Sequence, residues 1–456
     1  MAGIGFEIRR ILDRGSFLDS LQAYGYAGLI GSGPWLMSIL AMIVVGVMAT
    51  RTIGAGDDVI AFLVSVTWMM AGSLILTGGV QLLITRFVSD EVFKRDIDEI
   101  VPNVYGALLL ATLIATLLGL AVLSAFGDRS VAWSVLLLGS FVALCNLWIV
   151  VIFLSGMKRY KVIAGTMAVG YGLLVVLAWW LAPLGSEGLM LAFFTSQVLL
   201  LFSFLYFVIR DFPTRKAIEF EFLRHGRAYY WLFLCGSLYN VGVWADKFVF
   251  WLDSRTSEPV VGLFRASVIY DVPIFLAYLS IVPGMAIFLV RFETDFVEHY
   301  HRYFDGIRGA APLGRLIGIK ADMAASVRHG LLDIAKFQGV FTLMLCLWGE
   351  SILDLLGIDR AYYRLLCVDL VGVGVQVIFL CVLNVLFYFD KRRMAAGLTA
   401  VFLAANLLLS WLSIELGPAF YGFGFTIAVL IATLCGLVLL DRTFQRLEYE
   451  TYMWQR

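Results

Sequence analysis

Residues 131–155 read VAWSVLLLGSFVALCNLWIVVIFLS, twenty-five positions without a charged group, and Lys158-Arg159 follow almost at once. As a helix rising about 1.5 Å per residue, this stretch is long enough to cross a hydrocarbon core of roughly 30 Å. Both upstream and downstream of it the pattern recurs. Apolar runs of spanning length lie near residues 23–50, 59–85, 101–125, 162–183, 188–209, 228–252, 267–290, 337–357, 365–389, 397–416 and 420–440. The whole chain of 456 residues is 61% hydrophobic and 15% charged, against about 25% charged in a soluble domain. Most of its surface must therefore meet lipid. The formal net charge is zero, so nothing in the composition calls for a nucleic-acid partner.

Lys and Arg in the connections set the orientation, because short cytoplasmic loops retain them. With the N-terminus in the cytoplasm, 27 basic residues fall in inner segments and 6 in outer ones, and Lys247 lies within a helix. Reversal breaks the rule at nearly every loop. The expected fold is thus an all-α polytopic membrane protein with twelve transmembrane helices and both ends cytoplasmic, in a bacterial inner membrane. Residues 1–22, with Arg9, Arg10 and Arg14 among spaced isoleucines and leucines, read as an interfacial amphipathic helix.

Two inner connections are long. Residues 211–227 divide the chain into an N-terminal lobe, 23–210, and a C-terminal lobe, 228–440, followed by a tail, 441–456. Residues 291–336 carry charges of both signs with apolar residues between them, as one or two amphipathic helices would, and offer a place for a cytoplasmic partner to dock. A short repeat supports the six-plus-six division. Residues 26–32 read YAGLIGS and residues 231–237 read WLFLCGS, an offset of 205. Both copies begin on the same side, which makes the two lobes a parallel repeat.

An ionisable group in mid-membrane costs about 3 kcal/mol on insertion scales. The first six spans contain none, whereas the second half holds Asp246, Lys247, Asp271, Glu350, Asp354 and Asp369. Asp246 and Lys247 point about 100° apart on a helix, so one is expected at a cavity and the other against a different helix. Asp369, Gln376 and Asn384 share one face of the tenth span. With Asn146 and Asn240 they offer the amide donors and acceptors that suit sugar hydroxyls, although each equally serves as a link between helices. Gly31, Gly33 and Pro34 mark an expected helix break, since Pro34 removes a backbone donor.

Other chemistry has little support. The six cysteines (Cys145, Cys235, Cys346, Cys367, Cys381, Cys435) fall in apolar segments without a CxxC pair, so neither a disulfide framework nor a zinc site is read. All four histidines lie in expected cytoplasmic loops, and His299-x-His301 is a weak metal signal. No GxxxxGK[ST] phosphate loop occurs. Asp57-Asp58 in the first outer loop leave open a membrane-embedded glycosyltransferase, though large outer loops are missing. No cofactor or metal is expected.

The broken GSGPW start, the basic pairs closing spans four and ten, and the two parallel six-helix lobes resemble the polysaccharide-transporter branch of the MATE-like (MOP) flippase superfamily. Within it, GFEIRRIL and GLIGSGPW in the first segment, WADKFVFW at residues 244–251 and the charged insert after span eight are similar to exporters of Pel-type exopolysaccharide. The resemblance spans the whole chain. It implies a transporter rather than an enzyme, with a cavity between the lobes and an N-acetylgalactosamine-rich polysaccharide as substrate. It also implies partners: a cytoplasmic glycosyltransferase and other Pel inner-membrane proteins. It carries over no catalytic residue. It carries over no coupling ion either, because the N-terminal lobe lacks the buried acid that some MATE drug exporters hold there. An ion-driven flippase of a lipid-linked saccharide or small amphiphile is the alternative.

Overall fold

The computed structural model describes residues 16–54, 56–94, 97–126, 129–157, 159–214, 216–224 and 226–453. The expected interfacial helix over 1–22 falls, for residues 1–15, outside the described residues. The long elements are helices: α1 (Phe17–Ile53), α2 (Asp57–Lys94), α3 (Ile100–Leu123), α4 (Val131–Gly156), α5 (Tyr160–Leu181), α6 (Gly185–Asp211) and α7 (Gly226–Leu252). A small antiparallel ribbon follows, β1 (Glu258–Val261) with β2 (Phe264–Ala266). Then come α8 (Val268–Leu279), α9 (Val282–Val290), a π-helical turn (Arg291–Phe296), α10 (Val297–Arg308) and α11 (Leu313–Leu347). The chain closes with α12 (Gly349–Leu356), α13 (Tyr363–Tyr388), α14 (Arg392–Leu416), α15 (Phe423–Gln445) and α16 (Leu447–Met453).

Ten stretches among the described residues are long and apolar enough to cross a membrane. One of them, Tyr160–Asp211, holds both α5 and α6, joined by a 3-10 turn at Ala182–Leu184. The helix α7, with Asp246 and Lys247, is not among the ten. The quoted stretch forms α4 as read. Ser130 starts it, its hydroxyl accepting from the Trp133 N–H at 3.1 Å, which satisfies one of the free donors of a first helical turn. At 38 residues α2 exceeds the need of a bilayer. Its last two turns are correspondingly charged, with Arg86 paired to Asp90 at 2.9 Å and Lys94 to Glu91 at 2.6 Å.

Packing groups the helices into two compact units, and not by chain order. One unit comprises residues 34–268, the other residues 1–33 together with 269–456. The boundary falls between Gly33 and Pro34, inside α1, whose helical assignment continues through Gly31, Gly33 and Pro34. Before that point Gly28 and Gly31 meet α9, where added Cβ atoms would lie 3.3 Å from Val282 and 2.7 Å from Leu289. After it, Gly46 meets Leu63 of α2. In the first unit α7 packs along α2. The two helices nearly touch backbone to backbone, for a Cβ on Gly236 would sit 2.3 Å from the Gly78 carbonyl oxygen. Gly31 and Gly236 are matched positions of the YAGLIGS/WLFLCGS repeat. Each is the point where the first helix of one repeat closes on the second span of the other. Small residues at such points let membrane helices approach without a hydrophobic driving force.

Spans eight and nine, each expected as one helix, are both interrupted. The eighth breaks between Leu279 and Val282, where Pro283 brings no N–H. Gln338 of α11 bridges the gap. Its amide donates to the Ser280 carbonyl at 3.0 Å and accepts from the Gly284 N–H at 3.0 Å. In lipid a backbone group has no water to turn to, so this side chain does what solvent does elsewhere. The Gly284 position is open for it, as a Cβ there would come 2.8 Å from the Gln338 oxygen. Gln338→Leu should strip both groups of their partner and lower stability by about 1–3 kcal/mol for each. Comparing thermal unfolding of the two purified chains measures this, and equal midpoints would show that the bridge contributes nothing.

The ninth span ends at Leu347, one residue before the kink that opens α12. Upstream it is continuous with the charged insert. Buried residues Met323, Val327, Gly330, Ile334, Gln338 and Thr342 recur every three or four positions along α11, so one buried face crosses the expected border at residue 336. The insert is tied to the tail helix α16 by a Lys320–Glu448 ion pair, and Lys391 pairs with Glu450.

Candidate functional site

In the unit of residues 34–268, Asp246 and Lys247 are both buried, at 0% and 1% exposure. Contrary to the expectation that each would face a different partner, they pair with each other. The Lys247 ammonium lies 2.9 Å from one Asp246 oxygen and 3.2 Å from the other, and donates to the Val243 carbonyl at 3.0 Å. The 100° argument concerned Cβ directions. A four-carbon stem is long enough to fold back over the preceding turn and defeat it. Trp244 covers the ammonium at 5.8 Å.

One turn away, the Asn240 amide donates to the Gly236 carbonyl at 2.9 Å, beside the Gly78 contact. Asn146 of α4 donates to the Thr112 hydroxyl and the Val142 carbonyl, both at 2.9 Å. It lines a cavity of about 450 Å³ whose other walls are mostly apolar, including Leu108, Val142, Val198, Leu201 and Leu205. The ribbon closes over an aromatic group that the sequence did not reveal. Trp68 stacks between Trp251 and Phe264, at 4.8 and 5.1 Å, and its N–H donates to the Arg265 carbonyl at 2.8 Å. Trp251 is thereby buried, while Trp179 and Trp180 are exposed, as a lipid-facing aromatic belt requires. Asp57 and Asp58 stand exposed at the first turn of α2.

The connection before α7 is strapped to the start of α3. Glu219 donates its N–H to the Pro102 carbonyl, and the Phe222 N–H reaches the Asn103 side chain at 3.2 Å. Glu99 and Glu219 share a hydrogen bond with Lys216 beside them, which holds Glu99 below the usual carboxylate range and pushes Glu219 above it. With Glu221 these carboxylates are near enough to hold a cation, but Lys216 already supplies positive charge there.

In the other unit, Asp369 and Gln376 are buried on α13, at 0% and 3% exposure, and Asn384 is half-buried. The Asn384 oxygen has no hydrogen-bond partner among the described residues. Asp369 abuts Gly422, where a Cβ would come 2.7 Å from its oxygen and where φ is +82°. Only glycine takes that backbone conformation readily, so the turn before α15 is built to close on the acid. The stripe therefore lies among packed helices.

A polar cavity of about 370 Å³ appears instead in the insert. Arg291, Asp295 and His299, four residues apart each, face Asp322, Ser326 and His329 of α11. Arg291 is paired to Asp295 at 3.0 Å and to Asp333 at 2.7 Å. The π-helical turn at Arg291–Phe296 sets this register, and such turns recur at functional sites. In the sequence it showed only as the charge of the insert and the His299-x-His301 pair.

The model of the family described as "PelG: Putative exopolysaccharide Exporter (EPS-E)" matches residues 1–452. The chain belongs to the PelG family. It is a membrane transporter by family, not an enzyme, and a multi-pass membrane protein. No curated protein matches it. Solved structures share its fold. A MOP superfamily transporter from Pyrococcus furiosus, whose reported pocket polarity is reversed, aligns with a TM-score of 0.65 at 15% identity over 92% of this chain and 96% of that one. A MATE transporter in the straight conformation aligns with a TM-score of 0.67 at 13% identity over 98% and 99%. An outward-facing multidrug resistance MATE transporter gives 0.65 at 15% identity over 93% and 96%. At such identities the likeness is one of fold. The PelG-family chain thus keeps the MOP architecture, with Asp246–Lys247 in α7 as its buried ion pair.

Proposed function

We propose that this chain moves an N-acetylgalactosamine-rich, Pel-like exopolysaccharide from the cytoplasm to the periplasm of a bacterial inner membrane. The whole-chain family match carries this reading. The count of basic residues supports the direction, with both termini and the insert cytoplasmic. The twelve-span, two-lobe organisation supplies a path, with Asp246, Lys247, Asp369, Gln376, Asn384, Asn146 and Asn240 as the polar groups that border it when the protein changes state. Asn and Gln satisfy sugar hydroxyls without the desolvation cost of a fixed charge.

A second reading has one observation in its favour. The Asn146 cavity joins one amide to largely apolar walls, the combination that a lipid-linked saccharide would meet, and an ion gradient would then drive the flip. A single preparation tests both. The tagged chain is purified and set into vesicles with labelled free polymer or labelled lipid-linked oligosaccharide, with and without an ion gradient. Protection of free polymer inside the vesicles is expected. Protection of the lipid-linked form alone would replace the first reading by the second, and protection of neither would remove both. A cytoplasmic glycosyltransferase and other Pel membrane proteins should accompany the tagged chain through mild purification; their consistent absence would withdraw them as partners.

A further inference from the structure

The segment from Arg291 to Arg308 and the helix α11 form a hairpin that turns at residues 309–312. Its register is fixed at both ends. Near the turn, a Cβ on Gly306 would come 3.0 Å from the Leu316 side chain. At the far end, one on Gly330 would come 3.1 Å from the Phe292 ring and 3.5 Å from the Arg291 Cβ. The same antiparallel register sets Asp295 opposite Ser326 and His299 opposite Asp322. These four, with Arg291 and His329, line the polar cavity of about 370 Å³. Ala325 and Gly330 also belong to its wall and are too small to fill it. The lining takes its second imidazole from His329 of α11 rather than from His301, which is exposed.

The groups in this cavity have bonding capacity to spare. The Ser326 hydroxyl and the Arg291 Nε are buried without a hydrogen-bond partner among the described residues. His299, Asp322 and His329 have no polar partner there either. Charge limits what can fill the gap. Asp295 and Asp322 line the cavity against one guanidinium, and that one is divided, 3.0 Å from Asp295 and 2.7 Å from Asp333. Lys336 comes no nearer to Asp333 than 4.0 Å. An anion would be repelled by this surplus, a neutral ligand would leave it unanswered, and a cation offsets it. Spacing limits the cation. Among the described residues, three carboxylate, thiolate or imidazole ligand atoms lie within 4.8 Å of one another at Glu99, Glu219 and Glu221 only, so the groups here stand too far apart to close on a bare ion. At about 30 Å³ for each water, the cavity has room for an ion with several waters. Mg²⁺ is an ion of that kind, for it keeps part of its water shell and is held through one or two carboxylates.

We propose that the cavity between the Arg291–Arg308 segment and α11 is a binding site for a hydrated divalent cation of the Mg²⁺ type. Asp322 and Asp295 hold the ion. Asp295 accepts from Arg291 and from the Thr294 hydroxyl and keeps lone pairs beyond these bonds. The His299 and His329 imidazoles and the Ser326 oxygen accept hydrogen bonds from the waters of the ion. Arg291, neutralised by its two carboxylates, closes the inner end and donates its free Nε–H to a water. The ion thereby ties the two arms of the hairpin together across the gap that Ala325 and Gly330 leave. Neither the transported substrate nor the sidedness of the membrane bears on this site.

Mn²⁺ shares the oxygen-rich octahedral preference of Mg²⁺, and the paramagnetic signal of the free ion fades on binding, so it serves as the probe. The full-length chain, purified in detergent and stripped with a chelator, is titrated with Mn²⁺. One ion for each chain is expected, displaced by an excess of Mg²⁺. His329→Ala should weaken binding about tenfold or more, as loss of an outer-shell partner does, and Asp322→Asn should weaken it further. Both residues are exposed, so neither change opens the core, and monodisperse elution of each variant confirms that it is folded. An unchanged Mn²⁺ affinity in Asp322→Asn overturns the proposal. So does binding that disappears with Glu221→Gln, which would put the ion at the connection before α7. Displacement of Mn²⁺ by Zn²⁺ but not by Mg²⁺ would overturn the assignment of a hydrated ion. Transport of polymer in vesicles is scored separately from all of these.

Discussion

Lys247→Met is expected to lower the stability of the chain by about 3–5 kcal/mol, the cost of taking one member from a buried ion pair. The ammonium is 1% exposed and lies 2.9 Å from the Asp246 carboxylate. Methionine matches the stem in length, so packing against Trp244 persists and the loss is chiefly electrostatic. Asp246→Asn with Lys247→Met should recover most of the deficit, because a neutral pair needs no compensation. Chemical unfolding in mixed micelles of the wild type, the single variant and the double variant measures all three. A Lys247→Met chain that unfolds with the wild type, or a double variant no better than the single, would show that the pair does not hold α7 together. Transport by the rescued double variant then tells whether the charges serve the path as well as the fold.

Gly236→Val is expected to be comparably severe, upwards of about 3 kcal/mol, at the far end of overpacking costs. The added Cβ would sit 2.3 Å from the Gly78 carbonyl oxygen. That neighbour is backbone, so no rotamer change relieves the clash, and α2 and α7 must part. Their separation would also pull at Asn240, whose amide lies 2.2 Å from where a Cβ of Gly78 would be. Gly165→Val is the matched control, since nothing lies within 4 Å of a Cβ at that position, and it should change stability by less than about 1 kcal/mol. The fraction of each variant that stays monodisperse on heating gives the comparison. Equal behaviour of the two would mean that the helix crossing is not close in the membrane.

Several features were legible in the order of residues. The quoted run at 131–155 forms α4, the glycines of the YAGLIGS/WLFLCGS repeat are matched contact points, and the family resemblance agrees with the family match. Other features were not legible there. The surroundings of Asp369 are one, for it closes on Gly422, a residue more than fifty positions away. The eighth span looked continuous, since hydropathy does not register a missing hydrogen bond, and the break is sustained by Gln338 from another helix.

By itself the sequence determined the solvent and the local form. Hydropathy adds up along a segment, a spanning segment must satisfy its own backbone, and so apolar runs of this length become helices in lipid. Tertiary structure alone decided which helix holds which. That choice is made by backbone distances of a few ångströms at Gly236 and Gly31, by a lysine stem folding back on Asp246, and by an amide bridging a gap in another helix. These are contacts through space, whose energy depends on where two distant segments meet and on no property that either carries alone.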